Sequence, residues 1–105
     1  MSEQEATYAV HWPRAQRTQA VEPVAARVDG LSGKVVAFVW DYLFRGDEIF
    51  AMLQRELQQR FPGMRFIGHE EFGSTHGADE REVLAALPAR LKALRVDAVI
   101  SGMGC

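Results

Sequence analysis

The stretch Lys34-Val-Val-Ala-Phe-Val-Trp40 decides the fold of this 105-residue chain. After the lysine, apolar residues follow one another without a polar interruption, and most of them are β-branched or aromatic. Gly33 and Asp41 bound the run. A short continuous run of this kind is typical of a parallel strand that is buried on both faces of its sheet. The stretch therefore predicts the first core strand of an α/β protein.

A helix is predicted directly after this strand. Gly46-Asp47 opens it, with Asp47 as the N-cap and Glu48 in the first turn, where a negative charge is favourable. Apolar side chains recur at helical spacing, at Ile49, Phe50, Leu53, Leu57 and Phe61. Pro62-Gly63 ends the helix, and the stretch from Met64 to Ile67 predicts a shorter second strand.

The rest of the chain repeats this alternation of strand and helix. A polar stretch from Gly68 to Gly77 leads to a second helix that begins at Asp79, and the run from Val96 to Ile100 predicts a third strand. Pro88 interrupts the apolar stripe of the second helix, so we expect a kink or a restart there. Alternating strands and helices imply right-handed crossovers and a parallel sheet. The predicted fold is a three-layer α/β arrangement with the order βαβαβ, about half of a doubly wound domain.

The domain division follows from where this pattern begins. Residues 34–105 are predicted to form a partial α/β domain, and residues 1–33, which lack a sustained period, an irregular arm. The arm contains more apolar residues than a free linker would: Tyr8, Val10, Trp12, Val21, Val24 and Val28. We therefore expect it to dock on the domain or on a partner, with a short strand from Tyr8 to Trp12.

Composition and charge exclude several classes of function. The net charge is −2 and the sequence pI is about 5.9, which gives no basis for binding nucleic acid or an anionic membrane surface. No apolar run approaches the ~20 residues of a membrane span, and no signal peptide is evident, so a cytoplasmic location is expected. A single cysteine cannot form a disulfide within the chain. A small molecule, a thiol partner or a second copy of the chain remains as the expected partner.

Topology selects the loops in which a site is expected. Ligands of doubly wound sheets bind beyond the carboxyl ends of the strands, which here means residues 41–46, 68–77 and 101–105. In the first loop, Asp41 is a candidate catalytic base or orienting carboxylate. Arg45 is a candidate substrate-binding residue that would clamp a carboxylate or phosphate. The alternative is that Asp41 is a turn residue and Arg45 a solvated charge.

The second loop contributes two candidate catalytic histidines, His69 and His76. With Glu70 and Glu71 they supply potential metal ligands in a short segment, but their spacing matches no established metal motif. We therefore predict a polar loop with a substrate-facing histidine and no metal. The alternative is a plain surface loop.

The third loop ends in Gly102-Met-Gly-Cys105. Gly102 and Gly104 are candidate substrate-binding residues, because exposed amides in a tight turn hold anions or carbonyl groups. No complete dinucleotide-binding or Walker pattern occurs, so no cofactor is expected. Cys105 is a candidate nucleophile, because a thiol at a strand end near a helix N-terminus has a depressed pKa. No helix follows it in this sequence, and a terminal carboxylate beside the thiol would raise its pKa. The alternative is an inert, small apolar side chain.

These segments together resemble a known family. The strand that ends at Trp40, Arg45-Gly-Asp47 before the first helix, Arg60-Phe-Pro62 at its end and Asp97-Ala-Val-Ile100 before Gly102-x-Gly104 resemble the UGSC-type family of (seleno)proteins. That family is named for a selenocysteine-Gly-Ser-Cys motif directly after the last strand. The resemblance implies that Cys105 is the residue before the motif and that the chain stops one position short, where a UGA codon was read as a stop.

The resemblance also implies a chemistry. A selenol or thiol paired with a cysteine three positions on forms a selenenylsulfide or disulfide, as Cys-x-x-Cys motifs do. The expectation is a fragment of a thiol or selenol redox protein, inactive without the motif. Two alternatives remain open: a small non-catalytic binding or oligomerising subunit, and a hydrolase or lyase that uses Asp41, Arg45, His69 and His76.

Overall fold

A computed structural model describes residues 4–104 of the chain. Three strands and two helices form its regular structure: β1 (Val35–Trp40), α1 (Gly46–Arg60), β2 (Arg65–Ile67), α2 (Glu80–Ala93) and β3 (Ala98–Gly102). A short 3-10 turn at His69–Glu71 lies between β2 and α2. The predicted order βαβαβ is confirmed.

The sheet is parallel, and its strand order is β2-β1-β3. β1 therefore lies in the centre, and all of its residues are buried. On one face, Phe38 and Trp40 pack against Phe50 of α1. On the other face, Ala37 and Val39 pack beneath Leu87 of α2 and its neighbours. Because the two helices cover opposite faces, the predicted three-layer α/β fold is confirmed.

Aromatic stacking fills the layer between the sheet and α1. The ring of Phe38 lies 4.5 Å from that of Phe50 and 5.5 Å from that of Phe66, measured between ring centroids. The indole of Trp40 meets the Phe50 ring edge-on at 6.3 Å. Offset and edge-to-face pairs of this kind stabilise beyond their buried area by about 0.5–1.5 kcal/mol each. This packing fixes the end of β1, where the candidate site begins.

The third strand lies two residues later than predicted, at Ala98–Gly102 rather than Val96 to Ile100. The reason is Asp97, whose carboxylate accepts the amide of Val35 at 2.9 Å and whose own amide donates to the Val35 carbonyl at 2.8 Å. The Val96 amide still donates to Leu91 of α2. Val96 and Asp97 therefore belong to the turn before the strand. Gly102, expected in the loop, pairs with Trp40 as the last residue of β3.

The helices differ from the prediction in two details. Asp47 does not cap α1: the helix begins at Gly46, the preceding residue Arg45 makes no side-chain cap, and Asp47 lies in the first turn with Glu48. Both carboxylates still lie at the positive end of the helix, where they are favourable. The restart that was one expectation at Pro88 does not occur, because α2 runs as one helix from Glu80 to Ala93, whereas the other expectation, a kink, stays a prediction. The proline lies on its exposed side.

The described part of the arm, residues 4–33, contains neither helix nor strand. The predicted strand from Tyr8 to Trp12 is therefore absent, and both aromatic side chains are largely exposed. Its last part approaches the domain, since Val28 lies beside Asp97 and Ala98 and the Gly33 amide donates to the Pro62 carbonyl at 3.1 Å. The radius of gyration is 22.1 Å, against about 13 Å for a compact chain of this length. Within residues 4–104, neither helix is long and apolar enough to cross a membrane.

Candidate functional site

The predicted loops meet at the carboxyl end of β1. The amide of Asp41 donates to the carbonyl of Gly102 at 3.1 Å, which joins the first loop to the end of β3. The amide of Thr75 donates to the Trp40 carbonyl at 3.1 Å, which joins the second loop to the same strand end. Ser74 forms an isolated bridge with Trp40. Because the three strands are parallel and β1 lies between the other two, the loops that follow them lie together at the carboxyl end of the sheet. We call this end the carboxyl edge.

The carboxylate of Asp41 holds the backbone that follows β3. One oxygen, Oδ1, accepts the amides of Met103 at 3.0 Å and Leu43 at 3.1 Å. The other, Oδ2, accepts the amide of Gly104 at 2.9 Å. We call this arrangement the Asp41 clamp. It fixes two successive amides beyond the last strand pair, where no neighbouring strand holds them.

Two effects act on the pKa of Asp41 in opposite directions. Desolvation by burial is the largest single effect and raises the pKa. The hydrogen bonds from the amides of Met103, Leu43 and Gly104 lower it, and together they outweigh burial. The pKa therefore lies below the ordinary value for aspartate. Asp41 is an ionised acceptor rather than a general acid near neutral pH.

The segment between Asp41 and α1 has an unusual backbone. Tyr42 and Phe44 both adopt left-handed conformations, with φ of 63° and 56°. Residues other than glycine adopt these angles uncommonly and at some cost. The indole Nε1–H of Trp40 donates to the carbonyl of Leu43 at 3.0 Å and holds the turn. The result is that the Tyr42 ring stacks on Trp40, with ring centroids 4.5 Å apart.

His69 lies in an aromatic pocket that this turn completes. Its ring meets Trp40 edge-on at 4.8 Å and Tyr42 at 5.2 Å, and only 14% of its side chain is exposed. Its Nδ1 lies 3.3 Å from the Tyr42 hydroxyl. Its Nε2 lies 3.4 Å from Oε1 of Glu70. Both ring nitrogens therefore have polar partners.

The remaining predicted side chains at this edge have other partners. Arg45 points into solvent, with 82% of its side chain exposed, and its guanidinium lies 3.9 Å from Glu48. The His76 ring lies 3.8 Å from Glu80. The His76 amide donates to Ser74 Oγ at 3.1 Å, and that hydroxyl lies 3.5 Å from the Asp41 carbonyl. His76 is thus linked to Asp41 through the backbone and Ser74, not through its ring.

The two glycines predicted in the third loop lie at the end of β3 and directly after it. Gly102 is the last residue of β3. Gly104 has a φ of 79° and donates its amide to Asp41, so that amide already has a protein acceptor. Cys105 lies outside the described residues.

Within residues 4–104, no group of three or more histidine, cysteine, aspartate or glutamate side chains could hold a metal ion. The two acidic residues that follow His69 contact different side chains. Glu70 faces the histidine, whereas Glu71 pairs with Arg90 of α2 at 3.2 Å.

Comparison with known proteins places the chain in a family. The model of the UGSC family matches residues 9–105, almost the whole chain. The chain belongs to the UGSC family. The resemblance seen in the sequence is therefore confirmed. Neither the curated proteins nor the solved structures contain a match to the chain.

Tyr42 and Ser74, which contact candidate site residues, were not predicted as site residues. In sequence, Tyr42 reads as cover for the core, because an aromatic residue after an apolar strand is common. Its importance comes from the left-handed turn that brings its hydroxyl to His69. Glu70 was predicted only as a potential metal ligand, and the structure places its carboxylate 3.4 Å from His69 Nε2. Ser74 is recognisable only from the bridge to β1.

Proposed function

We propose that this UGSC-family chain serves thiol or selenol redox chemistry, with the reactive group carried by the backbone that follows β3. The observation that supports the proposal best is the Asp41 clamp, which holds the amides of Met103 and Gly104 at 3.0 and 2.9 Å. The family resemblance puts a selenocysteine-Gly-Ser-Cys motif directly after Cys105. A clamp at this place would hold such a motif at the carboxyl edge of the sheet.

The chemistry of the motif fits this place. A selenolate or thiolate attacks one sulfur of a disulfide, a new bond forms to that sulfur, and the other sulfur leaves as a thiolate. The cysteine three positions on then attacks the mixed bond and releases the reduced partner. Such exchange needs a reactive group that is fixed but accessible. The exposed edge beyond β3 meets that requirement, because Gly104 and Ser101 are both exposed.

The gene sequence tests the proposal first. A UGA codon after the Cys105 codon, followed in frame by codons for Gly, Ser and Cys, would support it. A UAA or UAG codon in that position would contradict it.

The protein made through that motif gives the chemical test. Iodoacetamide at about pH 5 alkylates a selenolate but spares ordinary thiols, whose pKa is about 8.5. We expect one alkylated residue at the motif, and a selenenylsulfide that protects it after mild oxidation. Full alkylation of the oxidised protein would show that the motif does not form the bond. Replacement of the last cysteine of the motif by serine is the matched control and should abolish the protection.

A second candidate, a binding or oligomerising subunit, is favoured by exposed apolar surface. Ile49 and Met52 of α1 are 37% and 57% exposed, and Trp12 of the arm is 75% exposed. A homo-oligomer or a bound partner would cover them. The molecular mass in solution tests this candidate: a monomer at all accessible concentrations would contradict self-association.

The hydrolase or lyase alternative needs Asp41, Arg45, His69 and His76 to act on one substrate. Their loops share one edge, but Arg45 and His76 direct their side chains to Glu48 and Glu80. The geometry supports the redox proposal better.

A further inference from the structure

We infer that a groove at the amino end of the sheet binds a small organic anion, whose carboxylate or phosphate group is held by Arg65 and Arg95. The groove has a volume of about 410 Å³ and is lined by Val35, Arg65, Phe66, Ile67, Leu94 and Arg95. Val35 and Arg65 are the first residues of β1 and β2, so the groove lies away from the carboxyl edge. The inference therefore goes beyond the proposed function and does not depend on it.

Strand pairing and the end of α2 bring the two arginines to this groove. Arg65 is the register partner of Val35 in the parallel pair of β1 and β2. Ile67 packs on the sheet face that α2 covers, and Arg65, two residues earlier in the same strand, belongs to the same face. Arg95 comes two residues before Asp97, whose amide donates to the Val35 carbonyl at 2.8 Å. Both arginines therefore lie beside Val35.

Arg95 occupies a backbone position that usually belongs to glycine. Its φ is 54°, in the left-handed region. Its amide donates to the Lys92 carbonyl and the Val96 amide donates to the Leu91 carbonyl, both at 3.1 Å, which is the Schellman pattern of a helix end. Glycine forms the same two hydrogen bonds without the steric cost of a Cβ. The end of α2 therefore does not itself require an arginine here.

The charges around the two arginines leave them available to a ligand. Basic residues are favourable near the carboxyl end of a helix, but Arg90 and Lys92 already supply them in the last turn of α2. Within residues 4–104, neither Arg65 nor Arg95 forms an ion pair with a carboxylate. Non-glycine residues in costly left-handed conformations are concentrated at sites of function. Two uncompensated guanidinium groups at one groove are complementary to an anion.

The shape and lining of the groove define the class of anion. A guanidinium binds a carboxylate or a phosphate through two parallel hydrogen bonds. Between the arginines the lining is apolar: Val35 is buried, Ile67 is half-buried and Leu94 is 37% exposed. The volume lies within the range of about 300–1,000 Å³ that is usual for sites of small molecules. The ligand is therefore an anionic group attached to an apolar body.

Titration of the isotope-labelled chain with 4-phenylbutyrate and with phenyl phosphate tests the site by proton–nitrogen NMR. We expect saturable shifts of the amide signals of Val35, Arg65, Leu94 and Arg95 with at least one of the two probes. The probe that binds more tightly shows whether the head group is a carboxylate or a phosphate. The neutral 4-phenylbutanamide has the same apolar body and should bind at least about tenfold more weakly than 4-phenylbutyrate or phenyl phosphate, whichever binds. Equal binding of the amide, or no saturable shift with either anion, would overturn the inference.

The Arg95→Gly variant separates binding from stability. It removes one guanidinium and puts the preferred residue at the end of α2, so binding should weaken by at least about tenfold while the urea midpoint stays the same or rises. Arg65→Gln should weaken binding to a similar extent. Unchanged binding in both variants would overturn the inference.

Arg81→Gln is the matched control for these variants. Arg81 is an exposed arginine of α2 that does not line the groove, and its replacement removes the same charge. We expect the affinity for the probe to stay unchanged. An equal loss of affinity in Arg81→Gln and Arg95→Gly would mean that net charge alone attracts the anion, and would overturn the site.

Discussion

The Asp41 side chain accepts hydrogen bonds where strand pairing stops. β1 and β3 pair as far as Trp40 and Gly102, so the next two amides along the chain have no strand partner. A carboxylate has two oxygens and can accept about four hydrogen bonds, enough for both amides and for Leu43. The path of the chain after β3 therefore depends on one residue at the end of the neighbouring strand.

The Asp41 clamp predicts a dependence of stability on pH. The pKa of Asp41 is lowered in the folded state, because the three amide hydrogen bonds outweigh desolvation. Its stabilising contribution is thus fully present above the pKa in the unfolded chain, about 3.9, and is lost as the pH falls through the folded-state pKa. We expect the difference in unfolding free energy between the wild type and Asp41→Asn to be constant near neutral pH and to shrink below about pH 4. Urea unfolding at several pH values measures it, and a difference that grows on acidification would contradict the clamp.

Gly46 is predicted to be the least replaceable glycine near the site. It is buried at the start of α1, and a Cβ there would overlap the indole of Trp40. The indole cannot move freely, because its Nε1–H donates to Leu43. Gly46→Ala should therefore lower the free energy of unfolding by about 1–3 kcal/mol. The urea midpoint measures this.

Gly102→Ala is the matched control for Gly46→Ala. A Cβ at Gly102 would meet Phe50 at 3.7 Å, an ordinary van der Waals contact. An equal loss in the two variants would mean that the Trp40 contact is not the cause.

The sequence predicted that Asp41 and His69 lie at the candidate site, but it did not predict which residues they contact. Asp41 and His69 follow strands, so topology selected them. The link between His69 and Tyr42 could not be predicted, because it depends on the left-handed φ of 63° at a tyrosine, a conformation that the residue type disfavours.

At the scale of elements, α2 contains a proline at which the sequence predicted a kink or a restart. Pro88 lacks the amide that would donate to the Leu84 carbonyl, yet the helix continues to Ala93. Leu87 and Leu91 pack on the core around Ala37 and Val39 on either side of the proline. Tertiary packing of this apolar face outweighs the local preference.

Replacement of this proline should stabilise the protein. Pro88→Ala restores the missing hydrogen bond in an exposed position, and we expect the free energy of unfolding to rise by about 1–3 kcal/mol. Thermal unfolding measures the change. Pro62→Ala is the control, because Pro62 is exposed in the turn after α1 and should give no gain. A fall in stability for Pro88→Ala would show that the ring itself is needed for packing.

The strands show how far an apolar pattern can predict boundaries. β1 was predicted to the residue, because a glycine and an aspartate bound a run that is buried on both faces. The predicted β3 began two residues too early, because apolar Val96 resembles a strand residue. In the structure Val96 belongs to the turn that Asp97 holds against Val35. A hydrogen bond from a side chain across 62 positions leaves no local signal.

Within residues 4–104, the helices and strands all follow residue 34, and the segment before it is largely exposed. This division predicts the order of proteolysis, because proteases cut extended segments far faster than helices. Trypsin should cut first after Arg14 and Arg17 in the arm. Arg55 and Arg60, which are exposed but lie in α1, are the internal control and should be cut later. Mass spectrometry of a time course measures the order, and early cuts in α1 would mean that the domain opens as readily as the arm.

The fold class could be predicted for the whole molecule, but the strand order could not. Alternating elements fix the parallel sheet and the layers. The order β2-β1-β3, which puts Asp41 next to Met103 and Thr75 next to Trp40, depends on which edge of β1 each later strand joins. The apolar residues of the arm predicted docking on the domain or on a partner; its described part is largely exposed, and docking on a partner stays a prediction.

The separation between Asp41 and the amides that it holds also bears on how the protein folds. These contacts join positions 62 and 63 residues apart, so a large loop must close before they form. We expect β3 to pair with β1 first, and Met103 and Gly104 to reach the carboxylate afterwards. Interactions that form after the rate-limiting step affect the unfolding rate and leave the folding rate unchanged. If the clamp forms after that step, as we expect, Asp41→Asn should raise the unfolding rate and leave the folding rate unchanged.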